Sequence, residues 1–362
     1  MTVALVTSLL GGGPIEHALV LGAGLVEAGE RVRVVCATRT LAERFAATGA
    51  EPLVLPLRRT WDMQHGVAVG RAVGGVDVVH AQDRRAGLWT RIVPRGAGTA
   101  LVYTVHGLPD HYLPPPAGPE RPGVRAALAY RGLDVGLVRR ADAVVTPSAA
   151  MAEALVSRLG YPADALTVVP NGVPVPALLF GGTAVGTLSV LEPVKGLDVF
   201  LDAVARIAPD RPEVPFVVFG SGSQDAELRQ RAAALGLADR VTFAGHTPAA
   251  DALARLAVLA LPSLMENCPM AMLEAMAAGV PVVASRVGGI PEMGPPGTAV
   301  LVPSKDPAAL ATALAALLDD PSARASQAAA ARAHVEREAS QAVMTERMRA
   351  VYDRARTARR SR

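Results

Sequence analysis

Cysteine is almost missing from this 362-residue chain: Cys36 and Cys268 are the two, far apart in sequence. Two such thiols exclude a disulfide framework and a cysteine-rich metal centre, and they fit a reducing compartment. Lysine is as scarce. Lys195 and Lys305 are the lysines among 36 basic residues, so nearly all positive charge is arginine. That is a compositional bias, and arginine abundance alone is then poor evidence for nucleic-acid binding. No run reaches the roughly 18 uninterrupted apolar residues that a membrane span needs. The opening "MTVALVTSLLGGG" has neither a basic leader nor a small-x-small cleavage site, so it is read as a first buried strand rather than a signal peptide. No D-x-D run and no cluster with metal-ligand spacing occurs, and a metal-independent protein is expected.

What is present is core material. The hydrophobic fraction is 51%, no low-complexity block stands out, and the length suits two ordinary domains. The net charge of +3 lies wholly in residues 1–168. Strand-like runs at 3–8, 31–37, 51–56, 76–81, 100–106 and 141–148 alternate with helical stretches, including 15–28 and 41–48. Near-continuous apolar strands of this kind signal a parallel sheet covered on both faces. A Pro/Gly-rich linker is expected at 166–182. The alternation then restarts, with strands at 184–190, 214–220, 240–245, 256–263, 280–285 and 297–303. The final helices, near 306–318, 321–337 and 339–358, have no strand after them. The expected fold is α/β: two Rossmann-like, doubly wound parallel-sheet domains facing a central cleft. They span 1–168 and 171–337, with 339–358 packing back on the first. Chemistry belongs in the loops after the strands, because ligands of such sheets bind beyond the carboxyl ends.

"SLMENCPMAMLEAMAAGVPVVAS" (263–285) carries Glu266 and Glu274 in an otherwise apolar run. Eight steps of about 100° do not put two residues on one helical face. Pro269 fits a first helical position but not an interior, so a helix is expected to start there, with Asn267 as cap and Gly279 as terminator. Glu266 then lies in a loop and Glu274 in the second turn, with the amides of Met270, Ala271 and Met272 between them. Amides and helix dipole receive phosphate, and the carboxylates accept from hydroxyls on either side. A surface helix with a solvated Glu is the plainer alternative.

"GGG" (11–13) follows the first strand. It is either a flexible turn or a backbone that a diphosphate or acceptor approaches closely. It is not a dinucleotide fingerprint: G-x-G-x-x-G is absent, and no acid clearly ends the second strand. His106 ends the strand at 100–106; His17, in the first helix, and His80, at a strand end, look less telling. Lys195 in "EPVKGLD" precedes a helix, either as a diphosphate ligand or as a solvated surface lysine.

In series, "LGGGPIEHALVLGAGLVEAGERVRVV", "DVVHAQDRRAG", "YTVHG", "VTPS", "VVPNGV", "VKGLDVFLDA", "FGSGSQDAELR", "RVTFAG" and "LPSLMENCPMAMLEAMAAGVPVV" resemble the retaining GT-B glycosyltransferases of family 4, in that family's order and over nearly the whole chain. The resemblance implies transfer of a hexose-type sugar from a nucleotide-diphosphate sugar, with retention. It implies catalytic roles for His106, Lys195 and Glu266. Donor binding would fall to Gly12, Gly13, Lys195, Met270, Ala271, Met272 and Glu274, with Glu266 on sugar hydroxyls and Glu274 on the ribose. His106 would donate to the transferred sugar, and Lys195 would neutralise the leaving diphosphate. A same-face displacement is implied, so Glu266 is not expected to be a nucleophile. No cofactor is expected beyond the nucleotide-sugar co-substrate.

One position departs from the family. An Arg usually stands five residues before this Lys, and here Val190 does. An aliphatic chain does not replace a bidentate guanidinium. Two alternatives therefore stand: a degenerate GT-B protein that binds a nucleotide-sugar or partner without turnover, or a GT-B sugar-nucleotide epimerase. The helix expected at 121–143 carries Arg125, Arg131, Arg139 and Arg140, and "RRAGLWTRIVPR" (84–95) adds Trp89. The preferred reading is a helix covering a sheet. The alternative is a membrane-surface patch for a lipid-linked acceptor. Expected partners are a nucleotide-sugar donor and a small-molecule or lipid-linked acceptor, with no nucleic acid. The expected location is cytoplasmic, with room for peripheral contact at the inner membrane face.

Overall fold

The computed structural model describes residues 1–57, 63–108, 132, 134–179 and 181–361. The arginine-bearing stretch at 121–131 and Arg125 lie outside them. The chain divides into two compact units: 1–113 with 118–172 and 341–362, and 173–340 with 114–117.

The first unit is a seven-stranded parallel sheet. Its strands are β1 (Thr2–Val6), β2 (Arg31–Cys36), β3 (Glu51–Val54), β4 (Val78–Ala81), β5 (Ala100–Thr104), β6 (Ala143–Thr146) and β7 (Leu166–Val168), in the order β3-β2-β1-β4-β5-β6-β7. The second is a six-stranded parallel sheet of β8 (Ala184–Leu188), β9 (Phe216–Phe219), β10 (Val241–Gly245), β11 (Leu256–Leu261), β12 (Val282–Ser285) and β13 (Val300–Val302), in the order β10-β9-β8-β11-β12-β13. Both are doubly wound, as the alternating pattern implies. The central strands β4, β5, β9 and β12 are buried at every position. That is why their sequences are near-continuous apolar runs rather than alternating ones.

β7 corrects the expected linker, whose first three residues pair with β6 from Val144↔Leu166 to Thr146↔Val168. Its short, half-exposed sequence gives little strand signal because it is an edge strand.

Helix starts follow short polar residues. Thr38, Asp83, Ser148, Asp306 and Asp320 each accept from an amide in the first turn that follows. The last helix, Gln341–Arg360, packs in the first unit on the helix Gly13–Glu27 and on β5. Met344, Met348, Val351 and Tyr352 enter that unit's core. Gly24 allows the approach: a Cβ there would stand 2.1 Å from Thr345 Oγ1. No described helix is long and apolar enough to cross a membrane.

Candidate active site

In the second sheet the order turns around at the β8–β11 pair, and the loops after those two strands flank the crevice such a reversal opens. Lys195 ends a short turn, Pro193–Lys195, in the loop after β8. Glu266 lies in the loop after β11. Leu264 N donates to Val194 O at 2.8 Å, tying the loops together. Gly196 makes the contact close: its φ is +61°, and a Cβ would sit 2.3 Å from Pro262 O.

This brings Lys195 Nζ to 2.6 Å from Glu266 Oε1, across 71 residues of sequence. Ser263 Oγ donates to the same oxygen at 2.9 Å. The Lys195 and Glu266 side chains are 21% and 10% exposed, so the solvated-lysine alternative does not describe this residue. A third loop, after β12, holds the Glu266 main chain: Gly289 N donates to the Glu266 carbonyl oxygen at 3.1 Å. At Gly288, φ is +51° and a Cβ would come within 1.8 Å of that carbonyl. Ser263 and Gly288 are further residues of this candidate site that sequence reasoning misses. The signal available was a Ser three residues before the Glu and the "VGG" that follows β12.

The helix expected at Pro269 is Met270–Ala278, one residue later. Pro269 itself occupies the cap, in extended conformation and without a side-chain acceptor, which corrects the assignment of Asn267 as cap. Gly279 ends the helix with φ +80°, as expected. Of the three amides, Met272 N donates to Pro269 O at 3.1 Å, so it is spent within the first turn. Met272 is also wholly buried. The phosphate-facing role expected of Met272 is therefore withdrawn. Met270 and Ala271 remain as the first two N–H groups, which a helix leaves without an intrahelical acceptor. Glu274 is half-buried in the second turn.

Val190 is 47% exposed on the loop after β8. That loop is clamped by the "GSGS" segment: Leu191 N donates to Ser221 O at 3.0 Å and Gln224 N to Leu191 O at 2.9 Å. Cβ atoms at Gly220 and Gly222 would lie 1.8 Å and 2.5 Å from the carbonyl oxygens of Ser189 and Leu191. Glu192 accepts from Ser223 N and Oγ. The backbone of the loop is thus firmly held, while the expected guanidinium has no equivalent at residue 190.

In the first unit the order reverses at β1–β4. Asp83, after β4, accepts from Ser8 N at 2.6 Å and Ser8 Oγ at 2.7 Å, fixing the loop after β1. The three glycines there are exposed. Gly12 needs its residue type for φ +88°, while Gly13 is the first residue of the helix.

His106 does not stand alone, and His17 and His80 are not incidental. The rings of His17 and His106 meet edge to face with centroids 4.8 Å apart. His106 Nε2 donates to Gln82 Oε1 at 3.1 Å, and Gln82 Nε2 donates to His80 Nδ1 at 3.1 Å. The Tyr352 hydroxyl donates to the same nitrogen at 2.8 Å, and His80 Nε2 donates to Thr104 Oγ1 at 2.6 Å. This chain holds the His80 and His106 rings in place. Burial, then the neighbouring His17 and His80, hold His106 well below the usual histidine range. Burial, then His17, does the same for His80. His17 is lowered to about 4 by burial, with the Asn171 side chain pulling the other way. The His106 ring, held neutral, is thus tied through Nε2 to Gln82.

Among the described residues, no three His, Cys, Asp or Glu side chains form a group able to hold a metal ion. Glycosyl transferases group 1 matches residues 182–320, and Glycosyltransferase Family 4 matches residues 11–175. The chain is 35% identical over 317 residues to the D-inositol 3-phosphate glycosyltransferase of Streptomyces scabiei, covering 75% of this chain and 67% of that protein. It is 36% identical over 170 residues to the GDP-mannose-dependent monoacylated alpha-(1-6)-phosphatidylinositol monomannoside mannosyltransferase of Corynebacterium glutamicum, covering 44% of each. The structure of Anabaena Alr3699/HepE in complex with UDP and glucose superposes with TM-score 0.83 at 20% identity, over 98% of this chain and 99% of that one. The fold is thus that of the GT-B glycosyltransferases, and the chain belongs to glycosyltransferase family 4, the group 1 glycosyl transferases.

Proposed function

We propose that the protein transfers a hexose-type sugar from a nucleotide-diphosphate sugar to a small-molecule or lipid-linked acceptor, with retention and without a metal ion. The observation that carries this reading is the Lys195–Glu266 pair at the β8–β11 reversal. The unit 173–340 holds the donor and the unit built on 1–172 holds the acceptor. The enzyme works in the cytoplasm, with peripheral contact at the inner membrane face if the acceptor is lipid-linked. The UDP and glucose described with HepE support a nucleotide-sugar donor.

Each side chain then has a task. Negative charge grows on the leaving diphosphate, and a positioned ammonium stabilises it best where water is sparse. Lys195 supplies that cation, turning from Glu266 toward phosphate when donor arrives. The amides of Met270 and Ala271 and the helix dipole take a phosphate oxygen. Glu266, oriented by Ser263, accepts from donor-sugar hydroxyls, and Glu274 accepts from the ribose. His106 contacts a hydroxyl of the transferred sugar. No step requires a nucleophile from the protein.

Val190 favours one second reading, a protein that binds the donor without turning it over. Incubation with a panel of uridine, guanosine and adenosine diphosphate sugars, reading nucleotide release and product anomer by NMR, decides between the two. Retained-anomer product, lost in Lys195→Ala and Glu274→Ala, supports the proposal. Donor binding with no product, unrescued by Val190→Arg, supports the second reading. Unchanged donor binding and turnover in both alanine variants would sink the site assignment. Donor isomerised without any acceptor would instead mark an epimerase.

A further inference from the structure

A second cationic site lies in the first unit, away from the loops just described. Ile92, Val93, Pro94 and four guanidinium-bearing residues, Arg95, Arg139, Arg140 and Arg359, line a cavity of about 420 Å³, with Arg91 at its inner wall. Residues 92–95 lead into β5, residues 139–140 lead into β6, and Arg359 is in the last turn of the final helix. The cavity therefore sits at the amino ends of β5 and β6. Gly12 and His106 follow the carboxyl ends of strands in the same parallel sheet.

Among the described residues, neighbouring carboxylates balance only part of the charge there. Arg91 is neutralised: its guanidinium donates to Asp134 Oδ1 at 2.6 Å and lies over the Tyr103 ring. Three of the others, Arg95, Arg140 and Arg359, bond to backbone instead, and Arg139 is exposed. Arg95 donates to Arg140 O at 2.8 Å, Arg140 to Arg91 O at 3.3 Å, and Arg359 to Ala97 O at 3.2 Å. Asp142 is the one carboxylate near them among the described ion pairs, 4.0 Å from Arg95, and it also accepts from Leu101 N at 2.8 Å. The electrostatic burden is visible on Arg95, whose pKa is lowered by burial and by the charges of Arg359 and Arg140, against the pull of Asp142. Carbonyl partners fix the direction of the Arg95, Arg140 and Arg359 guanidinium groups without cancelling their charge. A fixed fork of this type matches phosphate oxygens two at a time.

We propose that this arginine cavity binds a phosphate group, at a site separate from the donor site. The phosphate could be that of a soluble polyphosphate or of a lipid headgroup, and one experiment with two probes distinguishes them. Inorganic pyrophosphate is titrated calorimetrically into the full chain, into Arg139→Glu/Arg359→Glu, and into Lys195→Ala, which removes the donor-site cation. In parallel, cosedimentation is measured with phosphatidylglycerol vesicles, with phosphatidylcholine vesicles as the uncharged control. Arg139→Ala/Arg359→Ala serves as the milder variant, and circular dichroism confirms that each variant folds.

Loss of two charge-assisted contacts should weaken binding at least about tenfold. Pyrophosphate binding that survives Lys195→Ala but weakens in the arginine variants establishes a soluble phosphate ligand. Vesicle binding that depends on both Arg139/Arg359 and phosphatidylglycerol, without such pyrophosphate binding, establishes a headgroup. If neither probe responds to the arginine substitutions, the cavity is only a product of the chain's arginine bias and the proposal fails.

Discussion

At the residue scale, the site depends on side chains that are small or absent. Gly288 carries no Cβ because one would lie 1.8 Å from Glu266 O, and its φ of +51° is itself disfavoured for other residues. Gly288→Ala must push the loop after β12 off the carboxylate loop, at a cost of about 1–3 kcal/mol for the strained dihedral alone. We expect a lower melting temperature and a larger loss of turnover than of folding. An unchanged melting temperature would show that the loop yields easily. Ser263→Ala removes one of two donors on Glu266 Oε1, worth about 1.5–3 kcal/mol for a bond to a charged group. Steady-state kinetics should show the loss mainly in kcat, because the carboxylate stays but its orientation loosens. A change confined to KM would contradict that role. Glu266 and Lys195 are each legible in the sequence through motif resemblance. Their pairing is not, because it depends on two loops 71 residues apart meeting at the reversal of strand order. Gly288 is hidden for the same kind of reason, because it reaches Glu266 from a third loop, whereas Ser263 lies three residues before Glu266 and is hidden only by how common a serine is.

At the element scale, the histidine chain links the first helix, β4, β5 and the final helix through His17, His80, His106, Gln82 and Tyr352. Its members fold uncharged. For His17 the folded value is about 4 against an ordinary 6.5, so the unfolded chain takes up a proton that the fold refuses. Stability is then full above about 6.5 and falls as pH drops toward about 4. At about 1.4 kcal/mol per unit, His17 alone accounts for roughly 3 kcal/mol across that window. Melting curves recorded from neutral pH into this window should therefore fall, and His17→Gln should fall less steeply. Equal slopes would remove His17 from the explanation. The sequence shows three histidines here but not their association, since a histidine in a helix and one in a strand carry no mark of a shared neighbour. Element identity is the easier part. Buried parallel strands are apolar throughout and were plain, whereas the edge strand β7, half-exposed and beside a proline-rich run, was not.

At the scale of the whole molecule, two doubly wound sheets each bring chemistry-bearing loops to the point where strand order reverses. The alternation of apolar runs and helices announced both sheets. It could not announce the order β10-β9-β8-β11-β12-β13, which decides that Lys195 and Glu266 are neighbours. In the proposed function, this reversal in the second sheet holds a nucleotide-sugar. Thermal unfolding with a panel of nucleotide-sugars tests it most directly, comparing the native chain with Lys195→Ala. A ligand at about a hundred times its Kd adds about 2.7 kcal/mol to the folded state, a melting rise of roughly 5–10 °C for a domain of this size. Such a rise is expected with at least one nucleotide-sugar, and its loss in Lys195→Ala. A rise of equal size in that variant, or none with any nucleotide-sugar, would contradict the proposed function.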